Sequence, residues 1–373
     1  MLKIWVLQAG RGDSIVIEYH GHEGAVFGVV DSNHTGTGDP PALRKLRELG
    51  AQRLSFVALT HPHNDHYTGL SNIMAAYEGA IDSFYSFPIL NYITNPVRLR
   101  KLSRTYTSFV ESTESPTAKK RAHEFIEILV RAKEQIGLPN WEEPVGVKNQ
   151  IMPAGFDGVL LEVLLPPASA KGRYFQMIEN GDTGIVDGNP NLNHLSLAFR
   201  LSYAGKSVVL GGDGTFENWI DQNRKWKRGS VRVDATAVKL PHHGSGIDSQ
   251  ESVLRNLYSA EQPRFGVISA NGTSHPHSDT LKALEQLGVE PYCTNLAKQC
   301  GNSLRSLVPY AGLDPTFRRL LNSLGEDPSE HVQQPCQGDI LIRIDPNGVV
   351  DVEPEYKHPC PYRDVADLFG PPA

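Results

Sequence analysis

Thr60-His61-Pro62-His63-Asn64-Asp65-His66 closes an apolar run, Leu54 to Leu59, that reads as a buried strand. Tyr67-Thr68-Gly69-Leu70 follows and reads as a turn entering a helix. Four metal-capable side chains therefore leave one strand end within six positions. Imidazole nitrogens and a carboxylate oxygen suit zinc and similar divalent ions. His61 and His63 are two apart, so in extended backbone they point the same way. Asp65 and His66 come where the chain turns, in place to face a second ion beside the first. The alternative, a His-rich surface loop, is weakened by the spacing and by matching segments downstream.

Four other segments carry further information, three downstream and one upstream. They are Val208-Val209-Leu210-Gly211-Gly212-Asp213, Val238-Lys239-Leu240-Pro241-His242-His243-Gly244-Ser245, Ile268-Ser269-Ala270-Asn271 with Ser274-His275-Pro276, and Gly10-Arg11-Gly12-Asp13-Ser14. With the 60–66 stretch they resemble the metallo-β-lactamase fold superfamily. The likeness is to the soluble domain of the competence DNA-uptake protein ComEC and its relatives. It spans roughly residues 1 to 310, in the expected order. It implies an α/β fold, an αββα sandwich in which two sheets face each other under helices. It also implies two divalent ions, Zn2+ or Mn2+. The first would take His61, His63 and His194; the second Asp65, His66 and one of His242 and His243. Asp213 would bridge them. Asp31, Asn193 and Asn271 would support the site through hydrogen bonds. The alternative for Asp31 is a turn residue, and for His194 a plain loop histidine. The chain departs from the branch at Gln8, where aspartate is usual. It departs from ComEC itself in having no run long enough to cross a membrane.

With 373 residues, the chain suits one large or two modest domains. An apolar fraction of 39% and a charged fraction of 21% are those of an ordinary globular protein. A net charge of -6 excludes a chain coated in basic residues but allows a local basic groove. The opening Met1-Leu2-Lys3-Ile4-Trp5-Val6-Leu7 is too short to read as a signal peptide, so a cytoplasmic setting is expected. Cys293, Cys300, Cys336 and Cys360 form no C-x-x-C pair; reduced thiols are expected, with a disulfide near the C-terminus as the alternative.

In chain order, residues 2–7, 14–19 and 25–31 predict a three-strand meander. Asp39-Pro40-Pro41 predicts a helix start, with Asp39 as the N-cap. Residues 97–140 predict a helical insertion, starting a helix at Ser115-Pro116. Its Arg98, Arg100, Lys101, Arg104, Lys119, Lys120 and Arg121 suit a phosphate backbone or a protein partner; the alternative is a solvated helix face. Strands follow at 159–165 and 196–202, around a loop at 180–194. After Asp213, residues 216–223 predict a helix. Arg224-Lys225-Trp226-Lys227-Arg228 then interleaves an indole with cations, a composition for nucleic acid, or else a surface loop. Ser278-Asp279 predicts a helix cap, and residues 314–324 a further helix. The expected domain is 1–345, with a loosely ordered tail at 346–373.

Two divalent ions can clamp both sides of a displacement at phosphorus. Asp65, His242, His243 and His275 are the expected catalytic groups. The histidine of the 242–243 pair that binds no ion, or His275, would protonate the leaving oxygen or bind a phosphate oxygen. For His275 the alternative is a turn cap before Pro276. Lys225, Trp226, Lys227 and Arg228 are the expected substrate contacts. The expected activity is therefore that of a phosphodiesterase or nuclease acting on nucleic acid or a small phosphodiester. The alternatives are hydrolysis of a lactone, thioester or β-lactam at carbon, and a catalytically weak nucleic-acid-binding or complex-forming protein.

Overall fold

The computed structural model describes residues 1–34, 36, 38–145, 149–180, 190–227, 233–272, 274–297 and 336–357. The expected helix at 314–324, Cys300 and Cys360 lie outside these residues. The chain opens with the expected meander, β1 (Leu2–Val6), β2 (Ser14–Gly21) and β3 (Gly24–Ser32), then α1 (Pro41–Glu48). Next come β4 (Leu54–Leu59), α2 (Asn64–Tyr67), α3 (Leu70–Ala76), β5 (Ile81–Ser86) and α4 (Leu90–Thr94). The expected insertion contains α5 (Pro96–Ser112) and α6 (Pro116–Arg131), followed by β6 (Trp141–Glu142). The second half runs β7 (Asn149–Ile151), β8 (Leu160–Leu165), α7 (Ala168–Glu179), β9 (Ala198–Tyr203), β10 (Lys206–Leu210) and α8 (Phe216–Lys227). It continues through β11 (Ala237–Lys239), α9 (Glu251–Leu257), β12 (Phe265–Ile268), α10 (Ser278–Gln286) and β13 (Glu290–Cys293). β14 (Ile340–Ile344) and β15 (Val350–Pro354) return to the first half.

These strands make two sheets. The first has the order β15-β14-β1-β2-β3-β4-β5-β6 and the second β13-β12-β11-β10-β9-β8-β7. Alternation along the strands separates two faces. Val208 and Leu210 point into the layer between the sheets, where they meet Ile4, Ile17 and Phe56, while Val209 points outward. The outer face of the first sheet is covered by α1, α3, α5 and α6 through Leu46, Ile73, Tyr106 and Phe125. Trp219, Leu254 and Leu284 from α8, α9 and α10 cover the outer face of the second. The result is the four-layer αββα sandwich.

Several local readings need correction. Asp39 is not the N-cap of α1: Pro40 holds that position with no side-chain bond, Pro41 is N1, and Asp39 pairs with Arg47. The N-cap of α10 is His277, whose Nδ1 accepts from Asp279 N–H at 3.3 Å. The start of α6 is as expected, with Ser115 Oγ accepting from Ala118 N–H. Residues 168–179 are helical ahead of the expected loop. Helix α8 runs on to Lys227, so the basic stretch begins inside a helix and not in a surface loop. The boundary expected at residue 345 falls inside a hairpin: β15 pairs with β14 from Val350 to Pro354, leaving the sheet edge beyond it. Val352 is buried between the sheets, which draws this segment into the sandwich. Cys293 and Cys336 are both buried.

The topology brings the chemistry to one edge. β3, β4 and β5 run parallel in the first sheet, as do β10, β11 and β12 in the second. Parallel strands carry their carboxyl ends to a common edge, where open α/β sheets place ligands. Leu197 N–H donates to Thr60 O at 3.0 Å, tying the two halves together there, and Asp13 N–H donates to Asp65 O at 3.1 Å, joining two loops of the first half. Gly12 makes the second contact possible. A Cβ at Gly12 would lie 1.8 Å from Asp65 O, a backbone atom. We predict that Gly12→Ala displaces the 60–66 loop and destabilises the fold by about 1–3 kcal/mol, as overpacking does. Chemical denaturation checks this; an unchanged midpoint refutes the contact.

Candidate metal centre

Thr60 follows β4; His61 and His63 lie in the turn after it, and Asp65 and His66 in α2. Asp31 ends β3 beside it, at φ 56, a left-handed conformation that costs a non-glycine residue roughly 1–2 kcal/mol. Its carboxylate accepts from Thr60 N–H at 2.8 Å, Thr60 Oγ1 at 2.7 Å and His66 Nδ1 at 2.7 Å. Asp31 thus links Thr60 and His66 through hydrogen bonds.

Asp213 lies past the end of β10, with its N–H donating to Ser196 Oγ at 2.8 Å. His242 and His243 follow β11 in a left-handed turn, at φ 45 and φ 54, with Gly244 at φ 79. Three consecutive left-handed residues persist only when surrounding bonds hold them. His242 N–H donates to Gly212 O at 2.9 Å, Ser245 N–H to His242 O at 2.8 Å, and His277 N–H to Gly244 O at 2.9 Å. This turn aims two neighbouring imidazoles at Asp213.

The inner histidines share one arrangement: Nδ1 is engaged from behind and Nε2 faces Asp213. Nδ1 of His61 meets Thr60 Oγ1 at 3.0 Å, that of His66 Asp31, that of His243 Ser269 O at 3.1 Å, and that of His242 Asp248 Oδ2 at 2.6 Å. Nε2 of His66 and His243 lie 3.4 and 3.5 Å from Asp213 Oδ1. Nε2 of His61 and His242 lie 3.8 Å from Asp213 Oδ2. Asp65 stands 4.0 Å from His66 Nε2 and 3.7 Å from His243 Nε2. An outer hydrogen bond on Nδ1 is how a metal-binding histidine is oriented.

The donor set passes a further test. Nε2 of His61, His66 and His243 and Oδ1 of Asp213 are buried with no hydrogen-bond partner. Unpaired buried polar atoms are costly, and a cation among them removes the cost. Two overlapping groups bring donor atoms within 4.8 Å of one another and could hold an ion: His61, His66 and Asp213; and Asp65, His66 and His243. Asp13 joins two more, with Asp213 and His243 and with Asp31 and His66.

Electrostatics follow the same geometry. Burial pushes the Asp213 carboxyl up, but His243, His66 and His242 outweigh it and hold it well below the usual range. Burial also opposes charge on His66, yet Asp213 and Asp31 hold its proton well above the ordinary value. Burial raises Asp31 too. We place their shared proton on His66 Nδ1, because Asp31 already accepts two bonds from Thr60. Burial, then His66 and His63, lower His61 well below its usual value. His275 is pushed down to about 4 by burial and by His242 and His243. Its ring stands 5.5 Å from that of His242, and its N–H donates to Asn271 Oδ1 at 2.9 Å.

Not every expected residue reaches the centre. The ring of His63 lies 4.6 Å from that of His61, but it supplies no atom to the candidate groups. His194 turns away: Nδ1 meets Thr215 Oγ1 at 3.1 Å, and Nε2 is 4.0 Å from Glu217. The tight turn over residues 190–195 sends successive side chains apart, so Asn193 faces the site, its Nδ2 3.4 Å from His242 Nε2. Gln8 bonds Asn295 instead of the cluster. The side chains of Lys225, Trp226 and Lys227, and all of Arg228, lie outside the described residues. Asp13, Lys239 and Asp248 were not singled out as site residues. A lysine in the apolar run 235–240, and an aspartate five positions after His243, are the signals that mark the last two.

No protein-family model matches the chain, and no curated protein matches it. Solved structures similar to it include a mutant of the β-hydroxylase CmlA, at 13% identity and TM-score 0.42, covering 78% of this chain and 52% of that one. This chain thus spans about half the length of that protein. Zn2+-bound PqqB from Methylobacterium extorquens shares 10% identity at TM-score 0.35, covering 78% and 97%. The MIM-2 metallo-β-lactamase shares 13% at TM-score 0.28, covering 67% and 78%. Likenesses this distant carry no weight on activity, and the fold rests on the sheets and helices themselves. Among the described residues, no helix is long and apolar enough to cross a membrane.

We predict that Asp213→Ala abolishes stoichiometric binding of Zn2+ or Mn2+, whereas His194→Ala leaves it unchanged. Elemental analysis after dialysis against each metal reads both. Normal loading of the Asp213 variant refutes the central role of that carboxylate; loss on removing His194 refutes its exclusion.

Proposed function

We propose that the chain is a metal-dependent hydrolase that cleaves phosphodiesters with two divalent ions, zinc or manganese. The observation that carries the reading is the set of inward Nε2 atoms around buried Asp213. Charge supports a second ion. Asp13, Asp31, Asp65 and Asp213 crowd one site, and Lys239 is the lysine paired within it. With the metal-binding histidines neutral, as ligation requires, and His242 offset by Asp248, this leaves three negative charges, more than one divalent ion offsets.

His61, His66, Asp65, His243 and Asp213 would hold the ions, with Asp213 between them. When bound, such ions activate water and neutralise charge on phosphoryl oxygens. His242 belongs to none of the candidate metal groups. Its side chain is 27% exposed, more than those of His61, His66 and His243, so substrate can reach it. Asp248 holds its Nδ1, leaving Nε2 to donate a proton to the leaving oxygen. Asp248 also accepts from Phe216 N–H at 2.8 Å, which anchors this pair on the first turn of α8. His275, neutral beside it, is placed to bind a phosphoryl oxygen.

Phosphorus over carbon is favoured by the ComEC-like segments and by cations near the metal loop. Helix α6 packs on α2, where Tyr67 O–H donates to Arg121 O at 3.2 Å. Lys120 and Arg44 both act electrostatically on His34, next to Asn33. We assign the Lys119–Arg121 cluster, next to the helix that carries His66, to substrate binding, and extend the same role to Lys225, Trp226, Lys227 and Arg228. A nucleic acid in a cytoplasmic setting is the partner this reading names.

Incubation with single-stranded DNA, duplex DNA, RNA, a small aryl phosphodiester, a lactone and a β-lactam tests the reading. Metal-dependent turnover of a phosphodiester is expected; turnover of the lactone or β-lactam alone refutes it. On a polymer, replacing Lys119, Lys120 and Arg121 with Ala should raise KM and flatten the salt dependence by about 0.7–0.9 per lost phosphate contact. An unchanged salt slope places the binding groove elsewhere.

A further inference from the structure

Lys239 has no exposed surface. By alternation along β11 it shares the inner face with Ala237, and its side chain passes between the sheets to pair with Asp13 Oδ2. Asp13, itself 1% exposed, enters from the loop between β1 and β2. Its Oδ1 has no hydrogen-bond partner and lies 3.5 Å from His243 Nδ1. Asp13 also groups with Asp31 and His66. It thus lies within reach of both histidines of the second metal position, on the Nδ1 side of His243. A buried ion pair stabilises a fold little better than apolar residues of the same volume, so stability does not account for this one.

We propose that the Asp13–Lys239 pair is a positioning device for the second ion: Asp13 braces His243 from behind, and Lys239 anchors Asp13 across the two sheets. The inference rests on the metal-dependent reading above. Carboxylates behind metal-binding histidines change metal affinity by about 10–100-fold when removed. Here the carboxylate is held by a charge from the opposite sheet, so the ion's affinity depends on how the sheets are docked.

Calorimetric titration of the stripped full chain with Zn2+, with thermal midpoints in chelator, tests it. Asp13→Asn should weaken one ion by about 10–100-fold and leave the other unchanged. Lys239→Met should lower the midpoint in chelator, because Asp13 loses its counter-charge. The double variant, Asp13→Asn with Lys239→Met, removes both charges. It should recover the midpoint yet keep the weakened ion, a separation that a purely structural pair does not give. The double variant remains decisive if a single variant fails to fold. If it binds both ions as the wild type does, the inference is overturned. Wild-type protein that binds fewer than two ions refutes the two-ion reading instead, and the inference falls with it.

Discussion

The structure depends on one electrostatic constraint: the Asp213 carboxylate is buried at 1% exposure among other carboxylates and must face positive charge. Four imidazoles point Nε2 at it, and each is engaged behind at Nδ1. Those rear contacts come from both sheets, Thr60 and Asp31 from the first, Ser269 and Asp248 from the second. A buried charge without such partners would cost several kcal/mol. The cluster is therefore stable only while the two halves stay docked, and their docking is in turn directed by the cluster.

The backbone accommodates this arrangement at some cost. Asp31, His242 and His243 all adopt left-handed conformations that β-carbon sterics disfavour. Strain in these positions is offset by the bonds around them and by the apolar layer between the sheets, to which Phe56 and Leu210 contribute. Gly12 and Gly244 sit where the chain passes closest to its neighbours or turns hardest. The rigidity needed for a preorganised site thus comes from tertiary packing, not from local propensity.

Much of this was legible in the sequence. The apolar run 54–59 leading into His61, and the runs ending at Asp213 and His242, announce strands, and the resemblance carried by their ends implied the αββα architecture. The candidate residue types were legible because metal-capable side chains recur there at short spacing. Orientation was less so. His194 precedes its strand by a tight turn that decides whether it or Asn193 faces inward, and no periodicity reveals that. Asp13, Lys239 and Asp248 act through residues remote in sequence, so only the fold brings them together. Strand β15, Val350–Pro354, was read into the loosely ordered tail because it is charged and ends in proline, as an edge strand can be.

The central claim is that divalent ions sit around Asp213. Anomalous diffraction at the metal edge, from crystals grown with Zn2+ or Mn2+, tests it most directly. The account predicts two peaks about 3.5–4 Å apart. One should lie against His61 Nε2 and the other between His66 and His243, with Asp213 between them. No peak at this cluster, or a peak only at surface residues, would contradict it.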